Sequence, residues 1–281
     1  MMKIQTAINN ALIKLKKKKI KPALLDCEIL MSLAIKKDRK RIILNSDQEI
    51  GKKDYLYFKK LINQRSKGKP IAYLTGKKSF WKYDFYVNEK VLIPRPDTEL
   101  IIDEVLKIFK YKNKINFLDV GVGSGCIILS ILKEKINFFG TGIDLSDDCL
   151  KICKINANNL GIKNRLKLIK SDIDNFNNGK YDLILSNPPY IKKLDLKNLN
   201  KEVANFEPNL ALDGGLEGMT EIRKVVSKSS MLIKRGGKLI LEIAYDQTKE
   251  VKEFLRKQGF FINGIVKDFA KNDRCIISTK I

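Results

Sequence analysis

The residues of this 281-residue chain best equipped for chemistry are Asn187, Pro188, Pro189 and Tyr190, which close the apolar run YDLILS. A planar nitrogen conjugated to a carbonyl or an aromatic ring is a poor nucleophile, because its lone pair is delocalised. Asn187 Oδ1 can accept one N–H of such a group and the Pro188 carbonyl the other, which turns the lone pair towards an electrophile. Pro188 and Pro189 have restricted φ and no N–H, so the carbonyl direction is set before a substrate arrives. Tyr190 offers an aromatic face to a flat group and to positive charge developing on its nitrogen. Asn187, Pro188 and Tyr190 are therefore the expected catalytic residues, and Asn187–Tyr190 the expected substrate contacts. Alignment of this kind can remove about 7–11 kcal/mol from a barrier. It needs no strong base, since the substituted nitrogen sheds its proton readily. The chain contains no histidine, which excludes Ser–His–Asp and Cys–His catalysis and any histidine general base, but not this chemistry.

An electrophile has to be held beside that corner. The segment FLDVGVGSGCI (Phe117–Ile127) carries Asp119, Gly121, Gly123 and Gly125 between a strand-like and a helix-like pattern. Glycines let the backbone turn tightly and let a ligand approach it, and the following helix offers free N–H groups. A dinucleotide fingerprint would need Gly or Ala at 126, where Cys126 stands. The spacing D-x-G-x-G-x-G resembles the class I methyltransferases, in which such a loop lies against the methionine and ribose of S-adenosylmethionine. Asp144 ends the next strand and can accept both ribose hydroxyls. Asp172 and Ile173 follow the third, where a carboxylate can take an exocyclic amine and an apolar side chain can cover the adenine ring. The expected cofactor contacts are thus Asp119, Gly121, Val122, Gly123, Ser124, Gly125, Asp144, Asp172, Ile173 and Asn187.

The elements that must position these residues follow from hydrophobic periodicity. Residues 1–73 read as a small helical bundle, with Ile4, Ala7, Ile8, Leu12 and Leu15 at helical spacing and Leu24–Ala34 repeating it. Residues 74–95 read as a linker built on a β-hairpin, with Ser79–Pro94 aromatic and β-branched and Asn88–Glu89 as its turn. Residues 96–281 alternate strand and helix patterns. The strands are expected at 116–120, 138–143, 166–170, 181–185 and, after a Gly236–Gly237 turn, 238–243. This predicts an α/β fold: a doubly wound, mostly parallel Rossmann-like sheet. Strands at 260–267 and 274–280 add a C-terminal antiparallel hairpin at its edge.

Bulk composition narrows the partners. No apolar run reaches membrane-spanning length and no signal-peptide pattern opens the chain, so the cytoplasm is the expected location. Five scattered cysteines argue against a disulfide framework. Cys149 and Cys153, four apart, read as core residues rather than metal ligands, and no metal is expected. The net charge of +23 arises mainly from dispersed lysine. It is compatible with docking on something RNA-bearing or with a solvated surface, and nucleic acid is not the expected reaction target.

An Asn-Pro-Pro-Tyr corner is shared by adenine-N6, guanine-N2 and protein glutamine-N5 methyltransferases. Three further stretches resemble the release factor N5-glutamine methyltransferase family: PIAYLTGKKSFWKYDFYVNEKVLIPRPDTE (Pro70–Glu99), FEPNLALDGGLEG (Phe206–Gly218) and the closing DFAKNDRCI. The resemblance runs through nearly the whole chain. It implies methyl transfer from S-adenosylmethionine to the glutamine of the release factors' Gly-Gly-Gln loop, with the helical piece gripping the release factor. A relative acting on a ribosomal-protein glutamine, and a nucleic-acid methyltransferase, are the alternatives. Val122 and Ile173 depart from residues usual in the family, which are small and hydroxylated or aromatic, respectively.

Overall fold

The computed structural model describes residues 2–162 and 164–281. Its contacts group into two units, one running to Lys77 and including Asn200–Phe206, the other comprising Lys78–Leu199 and Glu207–Ile281. The first unit holds β1 (Met2–Lys3), α1 (Ile4–Lys17), α2 (Ala23–Ile35), α3 (Arg39–Leu44), β2 (Glu49–Ile50), α4 (Lys52–Ser66) and α5 (Ile71–Thr75). Ile4, Ala7, Ile8, Ala11 and Leu15 line the buried stripe of α1, as a period near 3.6 requires. They pack with Leu30 and Met31 of α2 and Phe58, Leu61 and Ile62 of α4 in a single apolar core. Lys16–Lys19 project from the end of α1 into solvent.

The second unit opens with a hairpin of β3 (Lys77–Phe80), whose first residue is the last of the first unit, and β4 (Tyr83–Tyr86). Then follow α6 (Glu99–Ile108), β5 (Asn116–Val120), α7 (Cys126–Glu134), β6 (Phe139–Asp144), α8 (Asp147–Asn159), β7 (Leu166–Lys170) and β8 (Tyr181–Ser186). After α9 (Lys201–Phe206), which groups with the first unit, come α10 (Thr220–Leu232), β9 (Ile233–Glu242), α11 (Thr248–Lys257), β10 (Phe260–Lys267) and β11 (Asp273–Lys280). The seven-stranded sheet has the order β10-β11-β9-β8-β5-β6-β7. Strands β9, β8, β5, β6 and β7 run parallel, while β11 and β10 close one edge antiparallel. This is the doubly wound sheet with a C-terminal hairpin that the sequence pattern predicts.

Strand residues alternate between faces, and here both faces are apolar. Phe117, Leu183, Leu185 and Ile240 pack with α6, α7 and α8. Leu118, Ile184, Leu239 and Leu241 pack with α10 and α11. A sheet covered on both sides explains why its strands read as unbroken apolar runs rather than polar–apolar alternation.

Two local expectations differ from the structure. The hairpin turns at Trp81–Lys82, not at Asn88–Glu89. Trp81 adopts φ +54°, held there by its backbone N–H on Glu99 (2.7 Å) and its indole N–H on Glu134 (3.1 Å). Those remote anchors supply what turn chemistry alone does not. Asn88 does turn the chain, accepting from Lys90 N at 2.9 Å, but beyond the second strand. Strand β9 begins at Ile233, five residues before its expected start, and runs through Gly236 and Gly237. The pairing with β8 slips between Tyr181 and Leu183, a bulge that Gly236 accommodates at φ +77°.

Candidate active site

Strand β5 is the first of the parallel set, and the chain leaves it on one side to β6 and returns on the other to β8. The carboxyl ends of β5 and β8 therefore form the topological switch point, where such sheets bind ligands. Val120 and Ser186 are direct neighbours there, and Ser186 Oγ donates to the Val120 carbonyl at 2.8 Å. The glycine loop and the Asn-Pro-Pro-Tyr corner thus emerge side by side, though more than sixty residues apart in sequence.

Each residue of the loop has a distinct placement. Gly121 has φ +78°, and a side chain at that position would meet nothing within 4 Å, so its Cβ side is open. Gly125 has φ +81° and caps α7, and a Cβ there would lie 2.6 Å from Cys153 Sγ. Cys153 is buried in the core, as its helical spacing with Cys149 predicts. Val122 points into the apolar core under Gly142, and its N–H, with that of Gly121, donates to the Ile143 carbonyl at 3.0 Å. The buried Ser124 presents its carbonyl to Asn156 Nδ2 at 2.8 Å. Asn156 also bonds the backbone N–H and C=O of Tyr86 (2.7 and 3.0 Å), fastening the loop to the hairpin.

Asp144, at the end of β6, accepts from Gly123 N–H on one oxygen and from Ser146 N–H on the other, both at 2.9 Å. Burial nonetheless raises its carboxyl above the usual range. Asp119 is more extreme. It is 1% exposed, no described residue gives either carboxylate oxygen a hydrogen bond of ordinary geometry, and burial pushes it up to about 7, eased by the Ile128 backbone and reinforced by the Asp144 charge. Unpaired buried carboxyls are costly, and this one stands at the base of an open loop.

A cavity of about 350 Å³ opens at the switch point. Gly121, Gly123, Asp144, Asp172, Ile173, Asn187, Pro188 and Pro189 line it. Asp119, Val122, Ser124, Gly125 and Tyr190 lie behind that wall rather than in it. Asp172 turns its own loop by accepting from Asp174 N–H at 3.0 Å.

A second loop clamps the corner. Ile191 N–H donates to the Leu212 carbonyl (3.1 Å), Gly214 N–H to the Ile191 carbonyl (2.9 Å) and Lys193 N–H to the Gly215 carbonyl (2.9 Å). Gln247 Nε2 bridges the carbonyls of Tyr190 (3.2 Å) and Gly218 (3.0 Å). Backbone packs on backbone here: a Cβ on Gly214 would fall 2.8 Å from Tyr190 Cα, and one on Gly218 (φ +74°) would overlap the Tyr190 carbonyl oxygen. Gly218→Ala is therefore expected to shift the corner and to lower the turnover rate about ten- to a hundredfold, as sub-ångström misplacement of a positioning group does. Steady-state kinetics beside an unchanged circular dichroism spectrum would check this.

Four buried polar residues with roles here escape a reading of the sequence alone. Glu207 accepts from Ile93 N–H (3.2 Å) and Arg95 (2.7 Å), joining the segments FEPN and IPRP. Thr98 Oγ1 accepts from Asn187 Nδ2 at 3.1 Å, and Glu242 Oε1 accepts from the Tyr190 hydroxyl at 3.3 Å. Asn156 is the fourth. Only the odd conjunction of IPRPDTE and FEPN with the Asn-Pro-Pro-Tyr corner hinted at such ties.

Comparison with known proteins agrees with this geometry. Residues 6–76 match the PrmC N-terminal domain and residues 98–217 the Methyltransferase small domain. A Release factor glutamine methyltransferase from Clostridium acetobutylicum is 36% identical and aligns over 99% of both chains. One from Caulobacter vibrioides is 35% identical over 91% of this chain and 89% of its own. A methyltransferase from Pyrococcus furiosus, 18% identical, superposes with a TM-score of 0.51 over 70% of this chain and 88% of its own, a likeness of fold. Identity at this level along the full length, on a doubly wound sheet with a glycine loop and an Asn-Pro-Pro-Tyr corner at its switch point, means that the chain is a methyltransferase and belongs to the release factor glutamine methyltransferase family.

Proposed function

We propose that this enzyme transfers a methyl group from S-adenosylmethionine to the side-chain amide nitrogen of the glutamine in the Gly-Gly-Gln loop of peptide chain release factors. The observation that carries this reading is the orientation of Asn187. Its Nδ2 is spent on Thr98, no described residue donates to its Oδ1, and it stands in the wall of the same cavity as Gly121, Gly123 and Asp144. An acceptor presented there suits an N–H of a planar amide.

The residues present fit the cofactor. The unpartnered carboxyl of Asp119, the open side of Gly121 and the cavity volume together suit a nucleoside-sized ligand. In this reading the backbone of Gly121 and Gly123 meets its methionine and ribose portion, with Val122, Ser124, Gly125 and the Asp119 carboxyl supporting that loop from behind. Asp144 takes the ribose hydroxyls, Asp172 the adenine amine and Ile173 the ring face. When bound, S-adenosylmethionine supplies an electrophilic methyl carbon on a sulfonium.

The protein's own part is positioning. Asn187 Oδ1 and the Pro188 carbonyl each accept one N–H of the glutamine amide, pinning its plane and directing the nitrogen lone pair into the cavity. Pro189 stiffens the turn, and Tyr190 supports it from behind. The proton lost from nitrogen after transfer passes to solvent and needs no dedicated base. The helical unit, the hairpin segment that follows and the sheet domain are read as release-factor dock, linker and catalytic domain.

Incubation with methyl-labelled cofactor and three acceptors in parallel tests the proposal: release factor, ribosomal protein and nucleic acid. Label is expected on the release factor and absent when its loop Gln is changed to Glu. Label on the ribosomal protein or on nucleic acid alone would overturn the substrate assignment.

A further inference from the structure

Pro188 and Pro189 fix two φ angles of the corner but leave its ψ angles free. The direction of the Pro188 carbonyl therefore depends on what holds the chain just beyond. That chain is Tyr190, and one short segment holds it at both ends: the turn from Glu242 to Gln247, between β9 and α11. The Tyr190 hydroxyl donates to Glu242 Oε1 at 3.3 Å. The Tyr190 carbonyl accepts from Gln247 Nε2 at 3.2 Å, and the same Nε2 reaches the Gly218 carbonyl at 3.0 Å. Gln247 Oε1 accepts from Ala244 N–H at 3.0 Å.

These partners allow the Gln247 side chain one orientation. Two carbonyls can only accept and a backbone N–H can only donate, so the NH₂ faces Tyr190 and Gly218 and the oxygen faces Ala244. A carboxylate of the same shape has nothing to donate, and an apolar side chain would leave all three groups unpaired. Gln247 is 4% exposed, so water has little access to replace it. Its backbone is fixed as well. Its N–H donates to the Ala244 carbonyl and its carbonyl accepts from Val251 N–H, both at 3.0 Å, where α11 begins. The turn is anchored to β11 through Ile243 N–H on the Arg274 carbonyl (2.9 Å) and Thr248 Oγ1 on Asp273 (2.8 Å). The Lys192–Asp246 pair between the same segments has side chains 44% and 42% exposed and adds little.

We infer that Gln247 is a positioning residue for methyl transfer: its amide carries the rigidity of the β9–β11 pair to the Tyr190 carbonyl and so sets the tilt of the Asn187 and Pro188 acceptors. The inference rests on the acceptor role proposed for that corner. Gln247 does not line the cavity, so its loss should reach the rate and leave cofactor binding alone.

Two substitutions of matching length test this. Gln247→Glu removes the donors and keeps the shape. Gln247→Met removes donors and acceptor without adding a charge, which keeps a folded variant available if the buried carboxylate of the first proves too costly. Either should lower the single-turnover rate about ten- to a hundredfold, the effect of a misplacement on the order of 1 Å. The cofactor dissociation constant, by calorimetry, should stay within about twofold of the wild type. In an Asn187→Ala background the same substitution should cost markedly less, because half of the positioned device is already gone. A further readout needs no substrate. In protein labelled with ¹⁵N-asparagine, the side-chain signal that Asn187→Ala removes should shift in Gln247→Met.

Unchanged rates in both variants would overturn the inference. So would a loss that multiplies in full onto Asn187→Ala, one matched by weaker cofactor binding, or an unmoved Asn187 signal. Failure of both variants to fold would assign Gln247 to the fold and overturn it equally. A wild type that labels no glutamine, but whose Asn187 signal still shifts in Gln247→Met, would instead overturn the proposed function and leave the coupling standing.

Discussion

Replacing Asn187 by alanine is expected to cut single-turnover methyl transfer about a thousandfold, the scale seen when one preorganised polar group is removed from a transition-state site, while the melting temperature stays within a few degrees of the parent. The side chain is half-buried and makes one hydrogen bond, to Thr98, so little of the fold depends on it. On the role proposed for the corner, its loss leaves the substrate amide with a single acceptor, the Pro188 carbonyl, and the plane of the NH₂ free to rotate. Cofactor affinity, measured by calorimetry, should change far less than the rate, because the glycine loop and Asp144 are fastened by bonds that do not involve Asn187: Asp144 by Gly123 and Ser146, and Ser124 by Asn156. A rate loss confined to weaker substrate binding would instead place Asn187 outside the chemical step.

The largest effect on stability is expected in the helical unit, at Asp26→Ala. Asp26 and Arg65 pair at 2.6 Å with side chains 4% and 3% exposed. Arg65 also meets Glu202 at 2.8 Å and the Lys69 carbonyl at 3.0 Å. Deleting one partner of a buried pair leaves a charge that water cannot reach, at a cost of about 3–5 kcal/mol. Urea denaturation followed by circular dichroism should show the midpoint falling accordingly. Replacing the pair together, as Asp26→Leu with Arg65→Met, should recover most of the loss, since no unpaired charge then remains buried and Glu202 is partly solvated. If Asp26→Ala alone proves neutral, the guanidinium is satisfied by Glu202 and the backbone.

What could be read from the chain beforehand divides along a physical line. Apolar runs such as Tyr181–Ser186 announce buried parallel strands, and glycines at 121, 123 and 125 announce a tight loop with open backbone, because both signals are local. The role proposed for Asn187 comes from the sequence for the same reason: the four adjacent residues carry the whole proposed device. Thr98, Asn156, Glu207 and Glu242 were not. Singly, each is an ordinary polar residue, and each acquires its role from a partner at a distance of between 52 and 114 positions along the chain. The turn at Trp81 was hidden likewise. Its backbone conformation is imposed by Glu99 and Glu134, while Asn88, which carries the local turn signal, serves a later bend. Val122 shows the reverse. As a departure from a hydroxylated residue it reads like a lost contact, yet its side chain fills the core against Gly142.

The account stands on a flat amide held at the Asn187–Pro188 corner with its nitrogen turned towards the cofactor. A crystal structure of the enzyme with S-adenosylhomocysteine and a glutamine-bearing Gly-Gly-Gln peptide measures this directly. It should show the glutamine nitrogen within hydrogen-bond distance of both Asn187 Oδ1 and the Pro188 carbonyl, with the cofactor sulfur on the open side of that nitrogen. A peptide bound elsewhere, or a sulfur remote from the corner with Asn187 turned inward, would contradict it.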